Sequence, residues 1–434
     1  MAQRTLFVFA HVSQAWVPAG RLSLTQTRHE LEASRFAYGT RYLERADAFE
    51  VDPVSLSLAD KGGVRGVELY PVNQLPQFGG IRDAAPDAWG RRVLEAQARV
   101  PANSLLEADY LLGAGSDRVG ALDVRETLGS PPQPGAAPIR SLAYLQEASE
   151  RIEQGLPVPS SLTDVFAAGS TAGGARPKAS VRDEAGVLWL AKFAAAGDAF
   201  NMAQAECSTL QLARRCGLSV PELRVQDLGG KPVLLVQRFD RIAQGHTEQR
   251  LPFASGLTLV ACDELASRAK GYGDLAQAIR QHVSPSQIRA DTEELFARMV
   301  FNIFVSNDDD HLRNHGFVRD PGLSGWRLSP LYDVVPRPGV AFERHLHLQV
   351  GQQGNLATLD NALSAYSAFT PHRATALAIV QRIWLALRQW RTFFEETGAN
   401  GRLIDQLGPA MRALSDIASP ALQAEIRHAP SSFA

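Results

Sequence analysis

Three consecutive aspartates, Asp308-Asp309-Asp310, follow directly on Asp291 to Val305, a segment that carries Leu295, Phe296, Met299, Val300, Ile303 and Phe304. Apolar residues on most sides of a helical pattern mark a helix buried in a large core. The acidic run therefore sits where an interior helix ends. Adjacent carboxylates repel one another, and a fold keeps them only where water, hydrogen bonds or a cation relieve the repulsion. A solvated acidic turn is one reading of Asn307-Asp-Asp-Asp-His-Leu-Arg-Asn314. A site for a cation and phosphate is the other. A metallo-hydrolase site at Asp308 to His311 would need further ligands, of which His315 is the nearest in sequence.

The chain can bury such a helix. It has 434 residues, 45% of them hydrophobic, enough for two lobes or two domains. A formal net charge of -2 excludes nucleic-acid binding through bulk charge. Cys207, Cys216 and Cys262 show no metal-ligand spacing and read as reduced, buried thiols. Met1 to Trp16 lacks the basic start and apolar run of a signal peptide. No stretch reaches the roughly 18 apolar residues of a membrane span. The expected location is cytoplasmic, with no membrane partner.

Along the chain, Thr5 to Val12 and Val64 to Val72 read as strands, and Asp83 to Glu95 as a helix with an acidic, proline-bearing entry. Tyr110 to Val124 ends in a further strand. Thr127 to Pro138, with four prolines, reads as a linker. A helix over Ser141 to Gln154 precedes a glycine-rich loop and the strand that ends at Val181. Strand Val187 to Phe193, a helix over Phe200 to Cys216 capped by Gly217, and strands Val225 to Leu228 and Pro232 to Phe239 follow. Beyond them the chain is mainly helical. A short hairpin holds Phe317 and Trp326, and Thr370 to Ile417 reads as amphipathic helix.

Phosphoryl transfer needs one aspartate to accept a hydroxyl proton, an asparagine a few residues on, and a later aspartate, the last two to hold Mg²⁺ against the phosphates. Asp309, Asn314 and Asp333 supply these types, and Asp309 to Asn314 spans the five residues of a kinase catalytic loop. The lysines are only Lys61, Lys178, Lys192, Lys231 and Lys270 in an arginine-rich chain. Lys192, within Trp189-Leu-Ala-Lys-Phe193, either points inward, where it needs an anion that Glu206 could help it meet, or lies on a solvent face opposite Ala191 and Phe193. Gly173 and Gly174 permit close backbone approach to phosphate oxygens, though a glycine pair also makes an ordinary turn. Ser170 and Thr171 are loop hydroxyls, and His311 either supports the acidic loop or is a surface histidine.

Four segments stand in the order and spacing of one family: Gly173-Gly-Ala-Arg-Pro-Lys-Ala179, Arg238-Phe-Asp-Arg241, Asn307-x-Asp-Asp-His-x-x-Asn314 and Tyr332-Asp-Val-Val-Pro336. Gly79-Gly-Ile-Arg-Asp-Ala-Ala-Pro-Asp-Ala-Trp-Gly90 and Val119-Gly-Ala121 add to them. Over roughly residues 60 to 395 the chain resembles the HipA-like toxin kinases. The resemblance implies an α+β, bilobal protein-kinase-like fold, of the HipA and phosphatidylinositol-kinase type, with a mixed N-terminal subdomain and a largely α-helical C-lobe. It implies an N-terminal subdomain over residues 1–126, a linker over 127–140, an N-lobe over 141–240 and a C-lobe over 241–434.

It implies an ATP-dependent serine/threonine protein kinase, with ATP and Mg²⁺ as cofactors. Asp309 would be the base and Lys192 the phosphate contact. Asn314 and Asp333 would hold the metal. Thr171, Ala172, Gly173, Gly174 and Lys178 would form the phosphate loop, with Ser170 or Thr171 autophosphorylated. Gln237, Arg238 and Phe239 would meet the adenine and Asp240 the ribose, with His311 beside the nucleotide. A helix-turn-helix antitoxin is the implied partner, carrying the chain to DNA indirectly, and an aminoacyl-tRNA synthetase the implied protein substrate. A small-molecule kinase of the same fold and a non-catalytic pseudokinase are the alternatives. The four intact residues Lys192, Asp309, Asn314 and Asp333 weigh against the second.

Overall fold

The computed structural model describes residues 2–27, 30–133, 136–159, 174–244, 247–323 and 325–429. The chain divides into two compact units, each discontinuous in sequence: Met1–Gly197 with Gln226–Cys262, and Asp198–Val225 with Asp263–Ala434.

The first unit opens on an antiparallel sheet in the order β3-β2-β1-β4, with β1 Ala2–Val12, β2 Ala15–Gln26, β3 Leu31–Tyr38 and β4 Leu122–Arg125. Only β1 and β4 are plain in the sequence. Strand β2 holds Pro18 and Gly20, which punctuate turns elsewhere. Here a register shift between Val8 and Phe9 takes up the irregularity, pairing Val8 with Gly20 and Phe9 with Pro18. The β1–β2 turn places Ser13 and Gln14 at φ 47° and 63°, positive at both central positions as a two-residue hairpin requires. The expected strand Val64 to Val72 does not form. Its region is turns, joined to the sheet by a single bridge between Phe36 and Leu69, and the Asp60 carboxylate caps the amides of Gly62 and Gly63.

The expected helix Asp83 to Glu95 is two helices, Gly79–Asp83 and Ala88–Ala98, because Asp87 takes an extended conformation after Pro86 and caps the second through Gly90 N. Gly80 permits the first to press on the backbone. A Cβ there would lie 2.0 Å from the Val51 carbonyl oxygen. Leu6, Val8, Leu22, Leu24, Phe36, Phe78 and Ile81 form the core under this sheet.

A further sheet runs β5-β6-β7-β9-β8, with β5 Ala137–Pro138, β6 Lys178–Arg182, β7 Leu188–Lys192, β8 Leu223–Asp227 and β9 Pro232–Gln237. Helix Leu142–Glu153 turns Leu142, Leu145, Ala148 and Ile152 into a core with Ala179, Val181, Trp189, Ala191, Val233 and Leu235.

The second unit is mainly helical, with helices Met202–Arg215, Tyr272–His282, Ile288–Val305 and Arg373–Leu387. Helix Ile288–Val305 is its centre. Leu295, Phe296, Met299, Val300, Phe301, Ile303 and Phe304 are all at most 1% exposed, and each buried phenylalanine contributes about 2 kcal/mol. The expected hairpin forms between Gly316–Arg319 and Trp326–Leu328. The long helical tail is broken into Arg373–Leu387, Trp390–Glu396, Gly401–Leu407 and Leu414–Ile417, with Gly398 at φ 94° and the Gly408-Pro409 pair as breaks. All three cysteines are free and buried. Among the described residues no helix is long and apolar enough to cross a membrane.

Candidate functional site

In the first unit the sheet pairing assigns every strand residue to a face. Ala179 opposes Ala191 and Val181 opposes Trp189, all in the core shared with helix Leu142–Glu153. The other face therefore carries Lys178 directly opposite Lys192, Ser180 opposite Leu190, and Leu234 opposite Lys192. Lys192 is thus on the face away from Ala191 and Phe193, but that face is not open water. Lys192 is half-buried, and Leu234 and Val236 on the same side are buried. Two lysines directly opposed on one apolar face demand anions. Asp87 supplies one, its Oδ2 lying 3.1 Å from Lys178 Nζ with both side chains under 10% exposed.

That pair belongs to a small assembly around Gly174. Asp87 caps helix Ala88–Ala98. Trp89 donates Nε1–H to the Lys178 carbonyl at 3.0 Å and its backbone N–H to the Gly174 carbonyl at 3.2 Å. Gly174 stands at φ 112°, a conformation only glycine adopts without strain. So Asp83-Ala-Ala-Pro-Asp-Ala-Trp89 and Gly174-Ala-Arg-Pro-Lys178, distant in sequence, are two halves of one junction. Lys178 serves there as an anchor, turned to Asp87. Ser170, Thr171, Ala172 and Gly173 lie outside the described residues.

The segment after β9 forms a second junction. Gln237 and Phe239 are half-buried, Arg238 and Asp240 buried. Arg238 donates N–H to the Leu188 carbonyl, extending the β7–β9 ladder by a residue. Its guanidinium meets Asp240 with both ends, Nε to Oδ1 at 2.7 Å and Nη2 to Oδ2 at 2.6 Å. Oδ2 of Asp240 also accepts from Arg241 Nη1 at 2.8 Å and from Gly120 N at 2.7 Å. Arg238 and Arg241 hold the Asp240 carboxyl far below the usual carboxylate range against the cost of its burial. At 1% exposure its oxygens are taken inside the protein, and its work is to tie Arg238 and Arg241 to Arg118–Gly120. Val119-Gly-Ala121 and Arg238-Phe-Asp-Arg241 are separate motifs in the sequence, and nothing in either says that they bond to each other.

The second unit holds Asp309, His311, Asn314 and Asp333. Helix Ile288–Val305 ends where Ser306 turns to φ 50° and donates Oγ–H to the Ala410 carbonyl at 2.7 Å. The loop that follows splits its aspartates: Asp308 and Asp309 are exposed, Asp310 is 1% exposed. Asn314 donates Nδ2–H to the Asp309 carbonyl at 2.7 Å, so the two are joined in one turn. The side-chain oxygen of Asn314 is an acceptor with two lone pairs. Tyr332 donates its hydroxyl to the Arg313 carbonyl at 2.8 Å. Arg337 donates its backbone N–H to the Ser306 carbonyl at 3.2 Å, and its guanidinium reaches Asp308 and Asp309 at 3.1 and 2.9 Å. The segment carrying Asp333 is therefore laced to the acidic loop at both ends. Asp333 itself has φ 59°, a left-handed conformation that non-glycine residues hold at functional sites when their surroundings enforce it. His311 faces His347 edge-on, with ring centroids 5.9 Å apart. Among the described residues no group of three or more His, Cys, Asp or Glu forms a metal cage, as the metallo-hydrolase reading would need.

Asp310 is the buried support of this loop. Its Oδ2 accepts from the Tyr272 hydroxyl at 2.6 Å and its Oδ1 from His347 N at 2.7 Å. Asn302 donates to the Tyr272 oxygen at 2.9 Å, and Asn307 to the Asn302 side-chain oxygen at 3.1 Å. Burial outweighs these donors and pushes the Asp310 carboxyl up to about 7. Between its ordinary value near 4 and this one, the unfolded chain has lost the proton and the folded chain keeps it. The unfolded state then binds fewer protons, so this group lowers stability as pH rises through that window. Asp310→Asn removes the dependence. The thermal midpoint of the wild type relative to Asp310→Asn is expected to fall from pH 5 to pH 8, and parallel curves would contradict the assignment. Nothing in a run of three aspartates says which one turns inward.

Residues 170–390 match the family described as the HipA-like C-terminal domain. Among curated proteins, the chain is 26% identical over 379 residues to Y4mE of Sinorhizobium fredii, provisionally designated a kinase, covering 82% of this chain and 84% of that one. It is 26% identical over 316 residues to Y4dM of the same organism, with the same designation, covering 69% and 71%. Among solved structures it superposes with a TM-score of 0.68 on a chain of the Shewanella oneidensis MR-1 toxin–antitoxin complex of HipA, HipB and operator DNA. That match has 16% identity and covers 97% of this chain and 96% of that one. The fold is accordingly the α+β, kinase-like fold of HipA.

Proposed function

Because this chain belongs to the HipA-like family, we propose that it is an ATP-dependent serine/threonine protein kinase that transfers the γ-phosphoryl group to a hydroxyl of a protein. The observation that carries this reading is the acidic loop: Asp309 exposed, Asn314 bonded to its carbonyl, and Asp333 in a left-handed conformation on a segment laced to the same loop. In the step, Asp309 accepts the hydroxyl proton as the hydroxyl oxygen bonds to the γ-phosphorus, and the bond to the β-phosphate oxygen breaks to leave ADP. Lys192 would meet the phosphates from its half-buried face, and backbone atoms of Gln237, Arg238 and Phe239 the adenine. Gly174 and His311 would lie near the nucleotide.

Asn314 and Asp333 would hold Mg²⁺. Their hard oxygen donors, one amide and one carboxylate, fit an ion that keeps several waters and shares the phosphates. When bound, it offsets charge building on the β- and γ-phosphate oxygens. The reading extends to autophosphorylation at Ser170 or Thr171, to a helix-turn-helix antitoxin that brings the chain to DNA indirectly, to an aminoacyl-tRNA synthetase as protein target, and to a cytoplasmic location. It keeps the division into a subdomain over 1–126, a linker over 127–140, and lobes over 141–240 and 241–434.

Calorimetric titration with Mg·ATP tests the nucleotide half of the proposal. Wild-type protein is expected to bind. Asp333→Ala is expected to bind at least about 10-fold more weakly in the presence of Mg²⁺, the loss of roughly one charge-assisted contact. Equal binding by the two proteins would remove Asp333 from the metal site.

A further inference from the structure

We propose that Arg337 is a positioning residue for the catalytic carboxylate: one guanidinium spans Asp308 and Asp309, offsets the charge of the first and fixes the orientation of the second. This role rests on the kinase reading above and adds to it a residue that no motif marks.

The geometry is specific. Arg337 Nε lies 3.1 Å from Asp308 Oδ1, and Nη2 lies 2.9 Å from Asp309 Oδ2. Its main chain is pinned on both sides of the Cα. The backbone N–H donates to Ser306 O, and the carbonyl accepts from Arg344 Nη1 at 3.4 Å. Arg344 also donates to the carbonyls of Gly339 at 2.6 Å, Ala341 at 3.2 Å and Pro409 at 2.7 Å. The loop after Arg337 is thus stapled from within, although Val340 and Phe342 on it are exposed.

Stability does not account for this contact. All three side chains are about half exposed, and exposed ion pairs are worth about 0–1 kcal/mol. The neighbouring charges do account for it. Asp308 stands one residue from Asp309 with no buried support, unlike Asp310, which is held by Tyr272 and His347 N. Without a cation between them, two adjacent carboxylates repel and turn apart, which spoils the aim of a base. A guanidinium on Oδ2 leaves Oδ1 of Asp309 for the acceptor hydroxyl, since a carboxylate accepts at both oxygens. A lysine, a point charge, cannot span both partners as a planar fork does.

The test uses the full chain with Mg·ATP, reading label transferred to the chain and phosphate released. Arg337→Ala is expected to lower kcat on the order of 10- to 100-fold, the scale of a misplaced reacting group, with the KM for ATP unchanged and the thermal midpoint within about 2 °C of wild type. The decisive variant is Arg337→Ala with Asp308→Asn. Removing the charge that Arg337 offsets is expected to recover part of the lost kcat, and Arg337→Lys to recover less than half. An Arg337→Ala protein within twofold of wild type, or a loss that Asp308→Asn does not relieve, overturns the proposal. A wild-type chain that transfers no phosphoryl group sinks the kinase reading first, and this role with it.

Discussion

Asp309→Ala is expected to slow phosphoryl transfer by about 10²–10⁴-fold, the range that a positioned general base supplies, while nucleotide affinity stays within about threefold of wild type. The two readouts separate because Asp309 is placed to act on the acceptor hydroxyl, whereas the proposed phosphate and metal contacts are Lys192, Asn314 and Asp333. The substitution is mild for the fold. Asp309 is exposed, and the bond that joins it to Asn314 runs through its carbonyl, which alanine keeps. Arg337 retains Asp308 as a partner. Single-turnover transfer from labelled ATP, set beside calorimetric affinity, checks both halves. Transfer within threefold of wild type would move the base to Asp308 or remove it from this loop.

The second large effect concerns stability. Asp240→Ala leaves the guanidinium groups of Arg238 and Arg241, 6% and 8% exposed as residues, without the carboxylate that both contact. Breaking a buried pair by removing one partner costs about 3–5 kcal/mol, because an uncompensated charge stays behind. Here Arg238 loses its carboxylate partner while Arg241 keeps Glu248 at 3.2 Å, and the Gly120 N–H loses its acceptor as well. For a chain of this size, whose unfolding entropy is roughly 0.9 kcal/mol/K, the thermal midpoint should fall by roughly 3–6 °C. Asp240→Asn is expected to lose nearly as much, since an amide keeps the shape and not the charge. Scanning calorimetry of the three proteins decides it. A midpoint within about 2 °C of wild type in Asp240→Ala would mean that solvent reaches these arginines and the junction is not closed.

What could be read in advance follows from what each signal encodes. Periodicity exposed helix Ile288–Val305 and strands β7 and β9, because their burial pattern is written in consecutive residues. It missed β2, where Pro18 and Gly20 mimic a loop, and β3 beyond it, since only the register shift beside them lets that strand pair. It overran the tail, whose apolar content persists across Gly398 and Gly408-Pro409 although the helix does not.

The site divides the same way. The spacing from Asp309 to Asn314 was visible because one turn joins them. The work of Asp240 and Asp87 was not, because their partners lie far off: Gly120 stands 120 residues from Asp240, and Lys178 stands 91 residues from Asp87. Motifs name such residues without saying what they hold. Arg337 had no motif at all, and only its distance to two carboxylates reveals it.

The most direct test of the central claim is incubation of the purified wild-type chain with Mg²⁺ and γ-labelled ATP, followed by peptide mapping of the label. The account predicts phosphate on Ser170 or Thr171, absent when Asp309 is alanine. A chain that binds no nucleotide and labels no hydroxyl would contradict it.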